Sequence, residues 1–197
     1  MEYLITQYSL EQGALEIQYI EEFFGEFPRR KTADEIVRRL EGREHLILMA
    51  IASLPDDPRQ RVPVAYKVAH EIFSNESDPK LHDLVNRLHG SVNFMGRRVL
   101  YSWIGGTRRD WRGQGQFGAL SEQQEVWALE KGYDEMVVKT KNKFYDMRGT
   151  LDSQRFQVVK YERNAFDNAE SKVYLSKKLA HDLLREHKSL RTVVSAA

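Results

Sequence analysis

The sequence predicts an α/β chain, and three observations carry that expectation. Helical stripes and strand-like runs follow one another in the order ααββ, insertion, βαβαββ. A polar turn, Pro55-Asp56-Asp57-Pro58, joins two apolar runs as an antiparallel hairpin would. A glycine-rich stretch, Arg112-Gly113-Gln114-Gly115-Gln116-Phe117-Gly118-Ala119, leads from a strand pattern straight into an amphipathic helix.

Taken in order, Ser9-x-x-Gln12 and Thr32-x-x-Glu35 read as capping boxes that open the first two helices. The first presents Leu10, Ala14, Ile17, Ile20 and Phe24 and ends at Gly25 and Pro28; the second presents Ile36, Val37 and Leu40 before Gly42. Two helices thus lead the predicted fold. Strands follow at 45–53 and 64–72. Residues 74–98 interrupt with a polar opening and a short helical stripe, Leu81, Leu84, Val85 and Leu88, read as an inserted lid or arm. A strand at 99–106 feeds the glycine loop and a helix at 116–131, where Phe117, Leu120 and Trp127 share a face and Gly132 is the stop. A strand at 135–139, a helix at 142–153 with Phe144, Met147 and Leu151 on one side, and strands at 155–161 and 172–179 complete the domain. Residues 1–179 are expected to form one domain, and 180–197 a helical or flexible tail.

Composition bounds the class. The 197 residues, 41% hydrophobic and 11% aromatic, suffice for one good core. Thirty basic against 29 acidic residues leave a net charge of +1, which gives no field to hold nucleic acid. With no cysteine, disulfides, thiolate metal sites and a cysteine nucleophile are excluded, and a reducing compartment is natural. No run reaches membrane-spanning length and the N-terminus lacks a signal pattern, so no membrane partner and a cytoplasmic location are expected. The histidines show no metal-ligand spacing; His82 and His89 stand seven apart and read best as solvated positions.

The glycine loop is the most informative stretch. Three glycines within six positions keep side chains away from the backbone N–H groups, and the following helix adds the positive end of its dipole, so the loop predicts a phosphorylated ligand. Gly113-x-Gly115-x-x-Gly118, with Asp134 beyond it, also satisfies the dinucleotide fingerprint. In that fold, however, the glycines follow a strand almost at once and the acid closes the next strand. Here residues 105–111 intervene and Asp134-Glu135 precede the apolar run Met136-Val137-Val138.

The order strand, glycine loop, helix, strand, helix, strand, with Arg112-Gly113-Gln114-Gly115, resembles the GNAT superfamily of acyl-CoA N-acyltransferases. Arg112 and Gly115 fit its Arg/Gln-x-x-Gly-x-Gly/Ala motif; Phe117 occupies the last small position and Gly118 lies one place late. Tyr101-Ser102-Trp103-Ile104-Gly105-Gly106, Gln124-Glu125-x-Trp127-Ala128, Gly132-Tyr133 and Lys139-Thr140-x-Asn142 look like a bacterial subgroup of undefined substrate. Where that pattern starts its next strand with Gly-Phe, this chain reads Arg155-Phe156.

The resemblance implies a central mixed, mostly antiparallel sheet flanked by helices, with a splayed strand pair holding coenzyme A, and transfer of an acetyl group from acetyl-CoA to a primary amine of a small molecule or peptide. The N–H groups of Arg112, Gly113, Gln114, Gly115, Gln116, Phe117 and Gly118 would meet the diphosphate. The strand with Trp103, Gly105 and Thr107 would hold pantetheine, and Asn142 would contact the cofactor. An amine with pKa about 10.4 is only ~0.1% free base at pH 7, so a base or water relay is required. Relatives place the base on the strand face that here carries Val99, Tyr101 and Trp103. Tyr101 is the titratable choice there, with Glu71 on a neighbouring strand the alternative. The usual acid, a tyrosine, is replaced by Leu151; Tyr145 or solvent would serve instead.

Plainer readings stand beside these. Tyr101 and Tyr145 could be packed aromatics, Glu71 a solvated strand end, and Trp103 and Trp127 core residues. A non-catalytic acyl-CoA sensor is the second functional reading, motivated by Val99 and Leu151; a dinucleotide-binding oxidoreductase is the third. The acidic first helix, with Glu16, Glu21, Glu22 and Glu26, and the 74–98 insertion hint at a cationic acceptor. A homodimer is compatible with the pattern.

Overall fold

The computed structural model describes residues 3–11, 14–23, 31–54 and 56–179. Seven strands form one sheet in the order β1-β2-β3-β4-β5-β7-β6: β1 (Tyr3–Tyr8), β2 (His45–Ser53), β3 (Arg61–Ile72), β4 (Val99–Thr107), β5 (Glu135–Lys141), β6 (Gln157–Glu162) and β7 (Lys172–Lys178). The helices are α1 (Ala14–Phe23), α2 (Ala33–Leu40), α3 (Pro79–Leu88), α4 (Gln116–Glu130) and α5 (Tyr145–Ser153). The β1/β2, β2/β3, β5/β7 and β6/β7 pairs are antiparallel. The sequence expectation of a mixed, mostly antiparallel sheet flanked by helices is what the chain adopts. The leading element is a correction: a strand, β1, precedes the two helices. The proposed end of α1 at Gly25 and Pro28, and the tail beyond residue 179, lie outside the described residues.

The chain divides into two compact units. The first comprises Met1–Glu71 and Ser102–Gln124. Its core is a packed cluster of Ile17 and Ile20 from α1, Ile36 and Leu40 from α2, Ile47 and Met49 from β2, and Tyr66 and Val68 from β3. The spacings explain the cluster: i, i+3 and i+4 share one face of a helix, while i and i+2 share one face of a strand. Leu46, Leu48 and Ala50 alternate with the core pair and are also buried, so the middle of β2 is covered on both faces and reads as an unbroken apolar run. The Thr32 cap forms, its hydroxyl accepting from the Glu35 N–H at 3.2 Å, while the Glu35 carboxylate accepts from Lys31 Nζ at 2.6 Å. Glu21 reaches from α1 to accept from the Ala33 N–H at 2.8 Å, a second carboxylate at the positive end of α2.

The second unit comprises Ile72–Tyr101 and Glu125–Ala197. Within it, α3 buries Leu81, Leu84, Val85 and Leu88 and begins at Asp78, whose side chain accepts from the N–H groups of Lys80 and Leu81. Arg87 is paired with Asp83 at 2.8 Å and with Glu162 of β6, and Lys160 donates to the Arg87 carbonyl at 3.0 Å. The 74–98 segment, read from sequence as a lid or arm, is therefore anchored to β6 by its helix. Two helix ends here share one geometry. After α4, Tyr133 N–H bonds Ala128 O at 2.9 Å and Gly132 N–H bonds Leu129 O at 3.1 Å, with Gly132 at φ 74°. After α5, Phe156 N–H bonds Leu151 O at 3.0 Å and Arg155 N–H bonds Asp152 O at 2.8 Å, with Arg155 at φ 64°. Both are Schellman ends, which require a left-handed residue. The second fills that place with arginine.

Candidate functional site

The site begins with the backbone of β4. A Cβ on Gly105 would lie 3.2 Å from the Tyr66 carbonyl oxygen and 3.3 Å from the Phe117 ring; one on Gly106 would lie 3.1 Å from the Tyr66 ring. A side chain at either glycine would press on these atoms, so the pair suits the close approach. Beyond Thr107 the chain makes a single 3-10 turn, Arg109–Trp111, seated by the buried Trp111 and by the Arg108 N–H bonding Val64 O at 2.9 Å. Arg112 then donates from Nε to the Thr107 carbonyl at 3.2 Å, which closes the turn on itself.

From this base the loop rises with Gly113 at φ 76° and Gly115 at φ 84°, values that favour glycine strongly. A Cβ at either position would meet nothing within 4 Å, so the exposed backbone is open to an approaching anion. The helical ladder of α4 starts with Ala119 N–H to Gly115 O at 3.1 Å. The amides of Gln116 and Phe117 accordingly point toward the helix start, where the dipole is positive. The buried Gln116 side chain donates to the Gln114 side chain at 3.4 Å. Gly118 sits within the first turn of the helix. The residues expected to hold a diphosphate form one exposed loop and the start of α4, with Gly113 and Gly115 open on their outer side.

Phe117 shows what a large residue does in the motif's small position. Its ring fills the space facing Gly105, and the buried Lys67 ammonium lies 4.8 Å from its centroid. Lys67 also donates to the Ser121 hydroxyl, which donates to the Phe117 carbonyl at 2.8 Å. Sequence reading passed over Lys67, whose signal was a lysine inside the apolar strand 64–72. It passed over His70 as well. His70 is fully buried and meets the half-buried Trp103 ring edge-on, centroids 5.6 Å apart, while Arg39 and Lys31 lie 5.3 and 5.8 Å from the same ring. Trp103 is a platform for cations, with Ile104 packed beside it against the α1/α2 core cluster.

The proposed proton carriers have different surroundings. Glu71, in the first unit, is half-buried near the end of β3; its N–H bonds Glu44 O at 2.9 Å. Tyr101, in the second unit, is 7% exposed, whereas Tyr145 is 65% exposed on the first turn of α5 and lines an open groove with Arg148 and Phe156. Val99 and Leu151, which the resemblance set at the base and acid positions, are fully buried apolar residues. Asn142 spends its side chain on its own unit: Nδ2 donates to Asn168 O at 3.2 Å and Oδ1 accepts from Arg148. Asp134, the acid of the dinucleotide reading, accepts the Arg98 N–H at 2.9 Å. Among the described residues no cluster of three potential metal ligands occurs, and no helix is long and apolar enough to cross a membrane.

No protein-family model matches the chain, and no curated protein matches it. Solved structures do. The NatC complex bound to Gag peptide and CoA matches with a TM-score of 0.66 at 14% identity, covering 91% of this chain and 100% of that one. NAA60 of Arabidopsis thaliana, in complex with a bisubstrate analogue, matches with a TM-score of 0.67 at 12% identity, covering 90% and 100%. The ribosomal-protein-S18-alanine N-acetyltransferase from Escherichia coli matches with a TM-score of 0.61 at 10% identity, covering 91% and 95%. Strand order, the glycine turn before α4 and these matches agree: the fold of this chain is that of the GNAT acetyltransferases.

Proposed function

We propose that the chain is an acyltransferase that moves the acetyl group of acetyl-CoA directly to a primary amine of a small molecule or peptide. One observation carries the reading: an open loop with left-handed Gly113 and Gly115, running into the start of α4 after the Gly105-Gly106 pair of β4. That arrangement offers fixed N–H donors to a diphosphate and an edge of β4 to an amide-bearing arm. A donor fixed beside a thioester carbonyl stabilises the charge that grows on oxygen as the amine attacks, and so acts on the transition state more than on the ground state. Acetyl-CoA supplies the activated acyl group; the chain supplies position and charge. Tyr101 or Glu71 takes the proton from the amine, and Tyr145 or solvent returns one to the leaving thiolate, whose pKa of about 8.5 needs little help.

A second reading, an acyl-CoA sensor without turnover, is favoured by the buried Val99 and Leu151. For the oxidoreductase reading, the placement of Asp134, whose carboxylate accepts the Arg98 N–H ahead of β5, counts against a ribose-binding role. The test is thermal stability with acetyl-CoA, coenzyme A, NAD and ATP on wild type and Gly115→Glu, followed by release of free coenzyme A with an amine panel. Stabilisation by the two coenzyme A species, lost in the variant, together with turnover, supports the enzyme. Binding without turnover selects the sensor, and stabilisation by NAD alone would sink both.

A further inference from the structure

The first unit also carries a groove of about 320 Å³ that the reading above does not use, lined from β1, α1, β2 and β3. Its polar wall holds Thr6, Tyr8, Glu16 and Tyr19. The Oε2 atom of Glu16 is shut off from solvent and has no hydrogen-bond partner among the described residues. A shielded carboxylate oxygen that has given up water and found no donor is costly, and a ligand that brings an N–H removes the cost. Glu16 is felt by its neighbour: burial first, and then the negative charge of Glu16, push the Tyr8 hydroxyl above its usual range, against the opposing pull of a hydrogen bond with Thr6. Leu4, Ile51 and Pro63 supply accessible apolar lining, and the buried Met49 stands beside Thr6 across the β1/β2 pair. The exposed Arg61 also lines the groove, and its charge opposes any positive charge on the ligand beyond the one that the Glu16 carboxylate balances.

We propose that this groove binds a small organic monoamine in its ammonium form, with the N–H groups donating to Glu16 and a hydrocarbon chain lying along Leu4, Ile51 and Pro63. A half-buried acid with one shielded, unpartnered oxygen suits an ammonium group, since charge-assisted hydrogen bonds favour a cation there. The volume admits a chain of several carbons, in the range of ordinary ligand pockets. The proposal stands apart from the glycine loop, and its test contains no acyl-CoA.

The experiment is calorimetric titration of the full chain with hexylammonium chloride and, separately, sodium hexanoate, on wild type and on Glu16→Gln. The amide keeps the shape of the side chain and removes its charge. Saturable binding of hexylammonium, absence of binding by hexanoate, and a loss of at least about tenfold in affinity in Glu16→Gln are expected. Equal binding of the two ligands by wild type, no saturable heat with hexylammonium, or unchanged affinity in a folded Glu16→Gln would overturn the proposal. The wild-type comparison decides the matter even if the variant fails to fold.

Discussion

Arg155 and Gly132 occupy equivalent places in two copies of one helix-ending motif, and this pair gives an internal measure of backbone strain. A non-glycine residue at positive φ costs about 1 kcal/mol or somewhat more, partly offset by the smaller entropy it loses on folding. Arg155→Gly is therefore expected to stabilise the chain by roughly 0.5–1 kcal/mol, and Gly132→Ala to destabilise it by about 1 kcal/mol, both read by urea denaturation at constant slope. Leu151 tests another residue-scale point. Because it is fully buried on the inner face of α5, Leu151→Ala should cost about 2–5 kcal/mol, whatever its effect on activity. If Tyr101 or Tyr145 carries a proton, its phenylalanine variant should lose on the order of 10²-fold or more in kcat with stability largely kept. Equal loss in stability and rate would instead mark a packing role. At this scale the sequence showed the departures, Phe117, Leu151 and Arg155, but not their remedies. The Lys67 and Gly105 contacts that accommodate Phe117 join β3, β4 and α4, and no local pattern could reveal them.

Elements whose ends are fixed by local chemistry were legible at once. Thr32 with Glu35, Gly132 after α4, and the apolar runs of β2 and β5 all state their bounds within a few residues. The element missed was β1, since Tyr3–Tyr8 alternates only weakly and leaves Leu4 59% exposed. Its pairing with β2, Tyr3 opposite Ala52 through Tyr8 opposite Ile47, supplies what the residues alone do not. The insertion shows the same limit: the stripe on α3 was visible, while its partner, β6, lies more than 60 residues later in sequence and could not be read. The turn before β7 makes a pH prediction. Hydrogen bonds from Lys141 and then Lys143 lower the Glu170 carboxyl from 4.5 to about 2. A depressed acid contributes stability above its unfolded value and loses it as pH falls through its folded one. Order at residues 168–171 should accordingly persist at neutral pH and fade between about pH 4.5 and 2. Carboxyl-carbon NMR should show Glu170 titrating in the lower part of that window, and Lys141→Met should move the midpoint upward.

For the whole molecule, identities of 10–14% accompany a shared fold because the determinants are patterns rather than particular residues: strand alternation, helix stripes, and glycines where backbone must bend or approach. Composition and the element order therefore predicted the architecture, while the division into two compact units had no sequence signal such as a linker. Ligand linkage belongs to this scale too. A cofactor at one hundred times its Kd adds about 2.7 kcal/mol, which for a chain of this size raises Tm by roughly 5–10 °C. Acetyl-CoA should produce that shift in wild type and not in Gly115→Glu.

The contact between Lys67 and Phe117 has a spectroscopic use. An aromatic ring shields protons held over its face, so the ε-methylene signals of Lys67 should appear upfield of those of the other lysines. Phe117 is the second residue of α4, immediately past the loop, and any shift of its ring as the loop takes up an anion would move those signals. The buried lysine thus gives a native reporter of loop occupancy, readable by proton–carbon correlation without attaching a probe.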